Sequence, residues 1–412
     1  MTQKRQVKTP NGTSRCLFFI PLFFLVLSKN TLIAQKVESD ERALINVQEG
    51  LGFQKDSLFL LNLRFRIQNR AGYNNIRGDN FSVDMYDMKV RRLRLRLDGF
   101  VLNPKIQYYI QMAFSRSDMD LESGNTAQTL RDAIVYYTFS DKFYVGFGQS
   151  KLPGNRQRVV SSGNLQFADR SVANAFFNID RDFGFFGYYT QPLAGRSLAM
   201  LKGAVTTGQG RNSFNNNDGF AYTGRIELLP FGKFTNNGDY SEGDQQFEPK
   251  PKLSLAATVS RNHKATRAGG QTGLVLYEER NLNSLILDGV FKYTGWALSS
   301  EYMQRNAANP ITQNAEGLTR HVFVGHGMNT QLSKMVSRKS ELAVRYAFTS
   351  AKEVLYPREA DIDELLFGYT RYLNGHRIKI QGNFGYRWID RISSIAGLSS
   401  GVTGTFQVEF GI

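Results

Sequence analysis

The sequence predicts an all-β fold: a transmembrane, antiparallel, up-and-down β-barrel of about sixteen strands. Three observations carry this expectation. From Ser57 onward the 412-residue chain falls into segments in which apolar and polar residues alternate with period two. The connections between those segments are short and long by turns. No stretch after Ala34 approaches the roughly twenty consecutive apolar residues that a membrane-spanning helix needs, so only a closed barrel could cross a bilayer.

Composition fits such a fold. Hydrophobic residues make up 41% of the chain, yet 31 Phe, 19 Tyr and 38 Gly are present. A polar average rich in aromatics and glycine is what short, two-faced strands produce.

The first segment is not part of the barrel. Lys4, Arg5, Lys8 and Arg15 precede the apolar run Leu17 to Leu27, and Ala34 supplies a small residue for cleavage. Eleven apolar residues would rise only about 16 Å as a helix, roughly half of the ~30 Å hydrocarbon core. Residues 1–34 are therefore read as a secretory signal peptide, residues 35–57 as a short periplasmic N-terminal segment and residues 58–412 as the barrel. The signal holds five of the 51 basic residues and none of the 36 acidic ones, so its removal takes the net charge from +15 to +10. Cys16, the one cysteine, would leave with it. An exported basic protein points to anions or acidic lipopolysaccharide as partners, and away from nucleic acid.

The alternation is plain in the first half. "SLFLLNLRFRIQ" puts Phe59, Leu61, Leu63, Phe65 and Ile67 opposite Asn62, Arg64, Arg66 and Gln68. "KIQYYIQMAF" puts Ile106, Tyr108, Ile110, Met112 and Phe114 opposite Lys105, Gln107, Tyr109 and Gln111. Val135, Tyr137, Phe139, Phe143, Val145 and Phe147 continue the apolar file. Later strands are expected at 181–190, 196–206, 219–229, 251–261, 283–294, 295–306, 319–331, 337–348, 361–373, 375–388 and 401–412. Tight-turn chemistry recurs at Asn103-Pro104, 140–142, 191–195 and Asn374-Gly375. The long connections between them include 69–86, 115–129, 151–180, 207–218, 262–282, 306–318, 349–360 and 389–400. The connection 230–250 is long where a short one is due. Sorting of loops by parity is what an outer-membrane barrel produces, because every second connection lies at the same rim. The last segment, with Val402, Gly404, Phe406, Val408 and Phe410 on one face, resembles a terminal barrel-assembly signal that ends in Ile412 where an aromatic is usual. Trp296 and Trp388 are expected at the aromatic girdles of the rims.

The stretch "VRRLRLRL" decides what the barrel encloses. On a strand, Arg92, Arg94 and Arg96 form one file and Leu93, Leu95 and Leu97 the other. Charges two residues apart lie roughly 6.8 Å from each other and repel by about 2.4 kcal/mol at an effective dielectric of 20. Three of them cannot face a dry core, and one Arg at the lipid midplane costs roughly 2 to 4 kcal/mol. A water-filled lumen satisfies both faces. Arg64 and Arg66 share the sense of this file, Asp98 continues it as a tether for Arg96, and Arg91, on the leucine parity, is expected to snorkel at a rim. Arginine and lysine files along a pore select anions. A solvated face of an ordinary antiparallel sheet is the alternative.

The blocks "RRLRLRLDGFVLNPKIQYYIQMAF", "LRDAIVYYTFSDKFYVGFGQSKLPGNRQR" and "SSGNLQFADRSVANAFFNIDRDFGFFGYY", in that order, resemble the phosphate-selective porin O and P family. The resemblance covers residues 58 to about 190. It implies a sixteen-stranded outer-membrane porin that assembles as a homotrimer, passes small anions such as phosphate by diffusion, and narrows its lumen with inward-folded loops. It assigns Arg92, Arg94 and Arg96 to a lumen file and makes 151–180 the constricting loop, where Lys151, Arg156, Arg158 and Arg170 are the candidate anion contacts. Equally open is that Arg170 and Arg181 pair with Asp169, Asp180 and Asp182 and simply hold the loop in shape.

No catalytic, cofactor or metal site is expected. His263, His321, His326 and His376 show no metal-ligand spacing, and no HExxH, Walker or GxSxG pattern occurs. The competing reading is a plugged, structural or adhesive barrel whose arginines pair with acidic residues of a loop or of Glu38 to Arg42.

Overall fold

The computed structural model describes residues 50–74, 85–119, 128–213, 217–390 and 400–412. The expected signal peptide, the acidic stretch Glu38 to Arg42 and parts of the expected loops at 69–86, 115–129, 207–218 and 389–400 lie outside the described residues.

The described residues form β1 (Leu51–Lys55), β2 (Phe59–Asn74), β3 (Met85–Val101), β4 (Asn103–Ala113), β5 (Leu130–Ser140), β6 (Phe143–Lys151), β7 (Arg181–Pro192), β8 (Leu198–Thr206), β9 (Ala221–Leu229) and β10 (Lys252–Arg267). They continue as β11 (Val275–Tyr293), β12 (Trp296–Ala307), β13 (Ile311–Gln313), β14 (Thr319–His321), β15 (Gly325–Ser337), β16 (Ser340–Ala351), β17 (Asp361–Asn374), β18 (Ile378–Asp390) and β19 (Gly401–Gly411). Each strand of the wall pairs antiparallel with its sequence neighbour, and β19 returns to pair with β2, from Thr403↔Asn74 to Gly411↔Arg66. Leaving aside β1 and the separate β13–β14 ribbon, sixteen strands close the barrel. β1, cut from the expected periplasmic segment, pairs with Phe59 to Leu63 on the edge of β2 that β19 occupies further along.

Burial is inverted relative to a water-soluble protein. Phe185 is 65% exposed, Val259 61% and Phe139 58%, whereas Asp98, Glu227 and Lys379 are fully buried. An apolar exterior and a charged interior are the two faces that the alternation separates. Trp296 and Trp388 both lie on the exposed face, 46% and 42% exposed, near opposite ends of their strands.

One rim carries tight turns. Thr294 and Gly295, with φ of 45° and 82°, join β11 to β12, the double left-handed conformation that suits a two-residue hairpin. Only Leu102, at φ 67°, separates β3 from β4. The exceptional connection 230–251 is at this same rim. At the opposite rim two expectations need correction. The segment 262–282 is mostly ladder, with Arg267 paired to Val275; it extends past the apolar belt, so its Arg, His, Lys and Glu residues carry no alternation to read. The strand expected over 319–331 begins instead at Gly325, because Thr319–His321 pairs with β13 and Phe323 turns onto Phe176 and Phe177, at ring distances of 4.4 and 5.3 Å.

The β2–β3 ladder contains a bulge. Gln68 opposes Arg92, but the next pair is Asn69 with Val90, so Arg91 is the extra residue. Below it Arg92, Arg94 and Arg96 face inward; above it the even positions Tyr86, Met88 and Val90 are exposed at 70%, 76% and 49%.

Candidate functional site

The connection between β6 and β7 crosses the inside of the barrel. It contains two short helices, α1 (Arg156–Val159) and α2 (Val172–Phe177), the second capped by Ser171, whose Oγ accepts from Asn174 N at 3.2 Å. Its two ends meet where Leu152 N donates to Asp180 O at 3.0 Å and Arg158 pairs with the Asp180 carboxylate. Between them it is tied to much of the wall. Arg156 Nε donates to Asp288 Oδ1 at 2.7 Å on β11, and Gln157 N to Glu301 Oε1 at 2.7 Å on β12. Gln166 Nε2 donates to Glu341 Oε1 on β16, and Lys379 Nζ on β18 donates to the Gly163 and Leu165 carbonyls, each at 2.7 Å. Its rings need bare backbone opposite. A Cβ on Gly327 or Gly368 would come within 2.9 Å of the Phe177 and Phe167 rings respectively, so only glycine lets the loop seat this closely.

The candidate residues of β2 and β3 all turn to the interior. Arg64 opposes Arg96 and Arg66 opposes Arg94 directly across the ladder. Charges ~5 Å apart would repel by roughly 3 kcal/mol at an effective dielectric of 20, so the pairs need compensation. Acidic neighbours supply it. Arg94 clasps Asp118 through Nε and Nη2 at 2.6 and 2.9 Å, Arg96 pairs with Asp98 at 2.6 Å and stacks over Tyr109, and Arg66 Nε lies 3.6 Å from Glu409. Arg92 donates to Gln68 Oε1 at 2.7 Å and lies 3.3 Å from Asp169. Arg91 does not snorkel: the bulge turns it inward, 3.2 Å from the same carboxylate, which Arg70 also meets. Two consecutive arginines inside a strict alternation are the sequence signal for that bulge.

The loop candidates serve different ends. Arg156 and Arg158 are engaged by Asp288 and Asp180. Arg170 has backbone partners, Gln157 O at 2.6 Å and Val160 O at 2.8 Å, instead of the expected carboxylates. Burial, then the nearby Arg158, Arg92 and Arg94, push its guanidinium well below its ordinary pKa. Arg181 pairs with Asp132 at 2.9 Å and with Asp180. Asp182 accepts instead from Thr206, Thr207 and the amides of Gly208 and Gly210. For Asp169 burial acts to raise the pKa, and Arg91, Arg92 and Arg70 more than reverse it, holding the carboxyl below its ordinary range. Lys151 Nζ donates to Val159 O at 2.7 Å.

A cavity of about 490 Å³ remains between the β2–β6 wall and the connection 230–251. Among the described residues Arg64, Arg66, Arg94, Arg96, Lys151 and Arg377 line it with the carboxylates Asp132 and Glu409, an excess of cations that Asp118 and Asp98, bonded to Arg94 and Arg96 behind the lining, reduce. A smaller cavity of about 30 Å³ lies among Arg156, Gln166, Glu242, Lys292 and Glu301. Beside it, through Arg156, runs a network in which Arg156 and Arg225 share Asp288 and Arg225 and Lys202 share Glu227, so cations and carboxylates neutralise one another. Sequence reasoning missed Asp118, Glu409, Ser162 and Arg377, all of them distant in the chain from the arginine file. Among the described residues no group of three or more His, Cys, Asp or Glu is placed to hold a metal ion.

No curated protein matches the chain significantly. Among solved structures, the chain is similar to OmpF of Salmonella typhi in complex with daunomycin, with a TM-score of 0.56 at 12% identity over 88% of this chain and 100% of that one. It is similar to an anion-selective porin from Comamonas acidovorans, with a TM-score of 0.52 at 13% identity over 86% and 100%. It is also similar to OprB of Pseudomonas putida, with a TM-score of 0.53 at 8% identity over 85% and 94%. At these identities the likeness is one of fold, a closed antiparallel barrel. The sequence profile described as phosphate-selective porin O and P matches residues 62–325, and with the closed barrel, the inward loop and the buried arginine file on view, the chain belongs to that family.

Proposed function

We propose that this outer-membrane porin is a passive diffusion channel for small anions such as phosphate, with Arg64, Arg66, Arg92, Arg94 and Arg96 forming the wall of the path. The observation that supports this reading is the cationic lining of the larger cavity. In water, a lining charge ~6 Å away attracts an anion by roughly 0.7 kcal/mol, and the pairing of Arg94 with Asp118 and of Arg96 with Asp98 keeps the sum below the bare tally of lining cations. Among the loop candidates, Lys151 lines that cavity and is assigned an anion contact; Arg156, Arg158 and Arg170 are assigned to holding the loop. The residues support general anion passage, with phosphate one permeant species. The protein is assigned to the outer membrane by way of a cleaved signal peptide, in contact with lipid and lipopolysaccharide, and to a homotrimer, the trimeric form of Vibrio cholerae OmpT being among the structures of similar fold.

Single-channel recording in planar bilayers tests the reading. In a KCl gradient the reversal potential should lie on the anion side, with chloride, phosphate and sulfate all carried. Cation preference would refute it. A plugged barrel is favoured by one specific observation, the extent to which Asp118, Asp98, Asp169 and Glu409 already neutralise the file; absence of any open-channel steps would decide for it.

A further inference from the structure

We propose that residues 230–251, entering from the tight-turn rim, are a second constriction element that walls the path opposite the arginine file and braces the 152–180 loop. This rests on the channel reading above. The length of the connection is the first sign, since parity calls for a tight turn between β9 and β10. The chain instead runs up into the barrel, reverses over Asn236 and Asn237, both at φ 51°, and returns. Asparagine tolerates this left-handed backbone better than most residues do.

The insert is built to stay there. At its base Glu248 accepts from Thr235 N at 2.6 Å, and Asp244 accepts from Gly295 N at 2.7 Å in the neighbouring hairpin. At its middle Lys292 of β11 donates to the carbonyls of Gly238 at 2.6 Å, Ser241 at 2.8 Å and Gly243, which uses all three ammonium protons on backbone. A lysine spent on three carbonyls fixes main chain; it does not balance charge.

The contact with the constricting loop is equally specific. Glu242 N donates to Asn164 O at 2.9 Å, while its carboxylate accepts from Gln166 N at 2.7 Å and Gln157 Nε2 at 3.3 Å. Arg156 Nη1 donates to Asp239 O at 3.1 Å. The Glu242 carboxylate thus points into the loop, and the side chains that the insert gives to the cavity, Asn236, Asn237, Tyr240, Gln245 and Gln246, are uncharged. The insert narrows the path without opposing an anion. Width is set by this wall and sign by the other.

Two recordings on the full chain test this. Replacing residues 234–247 with a short Gly-Ser turn should raise single-channel conductance about twofold or more while the reversal potential stays on the anion side. Independently, Asn237→Cys with Cys16→Ser, treated with a bulky neutral thiol reagent, should lose half or more of its open-channel current. Unchanged conductance in the deletion, or an unmoved current in the labelled protein should the deletion fail to fold, overturns the inference while leaving the anion reading intact. A silent unmodified protein whose deletion variant conducts would reject the open channel and keep the insert as the obstruction. Silence of both rejects the two together.

Discussion

Arg66 and Arg94 face each other across the β2–β3 ladder and converge on one hydroxyl, donating to Ser162 Oγ at 2.7 and 3.0 Å. The constricting loop therefore touches the cationic wall through a neutral acceptor shared by two like charges. Charge-assisted hydrogen bonds contribute roughly 1.5 to 3 kcal/mol each. Ser162→Ala should loosen the loop by about 2 to 4 kcal/mol without unfolding the barrel. Amide hydrogen exchange over residues 160–166 should accelerate tenfold or more while that of the β-strands is unchanged; equal exchange would show that the loop is held elsewhere.

The charge surplus of the cavity makes a second prediction. Arg64→Gln with Arg96→Gln removes two of the six cations of that lining and should at least halve the anion-to-cation permeability ratio at 0.1 M KCl. Arg158→Gln, outside the cavity, should leave the ratio unchanged. The difference should shrink toward 1 M salt, where the Debye length is only about 3 Å. Reversal potentials at both salt concentrations check this.

Asp169 ties the loop to three guanidinium groups, and its pKa lies below the usual 3.8 in the folded protein. A carboxyl so depressed contributes stability that is present in full above 3.8 and is lost as the pH falls from there through the lower folded value. Thermal melting should therefore show an acid-labile component below about pH 4. Asp169→Asn should lower the melting midpoint at pH 7 and lose that part of the acid sensitivity; an unaltered profile would sink the assignment.

The exposed apolar face makes its own demand on a bilayer. Val259, in the interior of β10 between Gly224 and Leu285, is a strongly exposed site. Val259→Arg should destabilise the barrel by roughly 2 to 4 kcal/mol in lipid and Val259→Leu hardly at all. Guanidinium titration of refolding into vesicles measures both.

The strands and the sorting of the loops were legible because a wall between lipid and water imposes period two at every position it crosses. Legibility stopped where that constraint stops. The β10–β11 hairpin runs on beyond the belt, where Arg267 and Val275 pair without an apolar face, so sequence alone placed a loop there. The arginine file was legible from its like charges. Its counter-charges were not, because Asp118 and Glu409 reach it only through barrel closure and loop docking, and no local pattern encodes contacts between residues 66 and 409. The loop residues illustrate the same limit: sequence proximity suggested Arg170 with Asp169, whereas folding across the lumen gives Asp169 to Arg70, Arg91 and Arg92.

The extra residue at Arg91 has a wider consequence than its own placement. Because one position separates the two halves of β3, the inward set is even-numbered below it and odd-numbered above it, where Asp87 and Lys89 pair. Were the bulge to flatten, with Arg91 taken into the ladder, the phase of everything on one side would shift. Either Tyr86, Met88 and Val90 would be driven into the aqueous interior, or the guanidinium groups of 92, 94 and 96 would be pressed into the oily exterior. One looped-out residue thus keeps both halves of this wall facing the same inside.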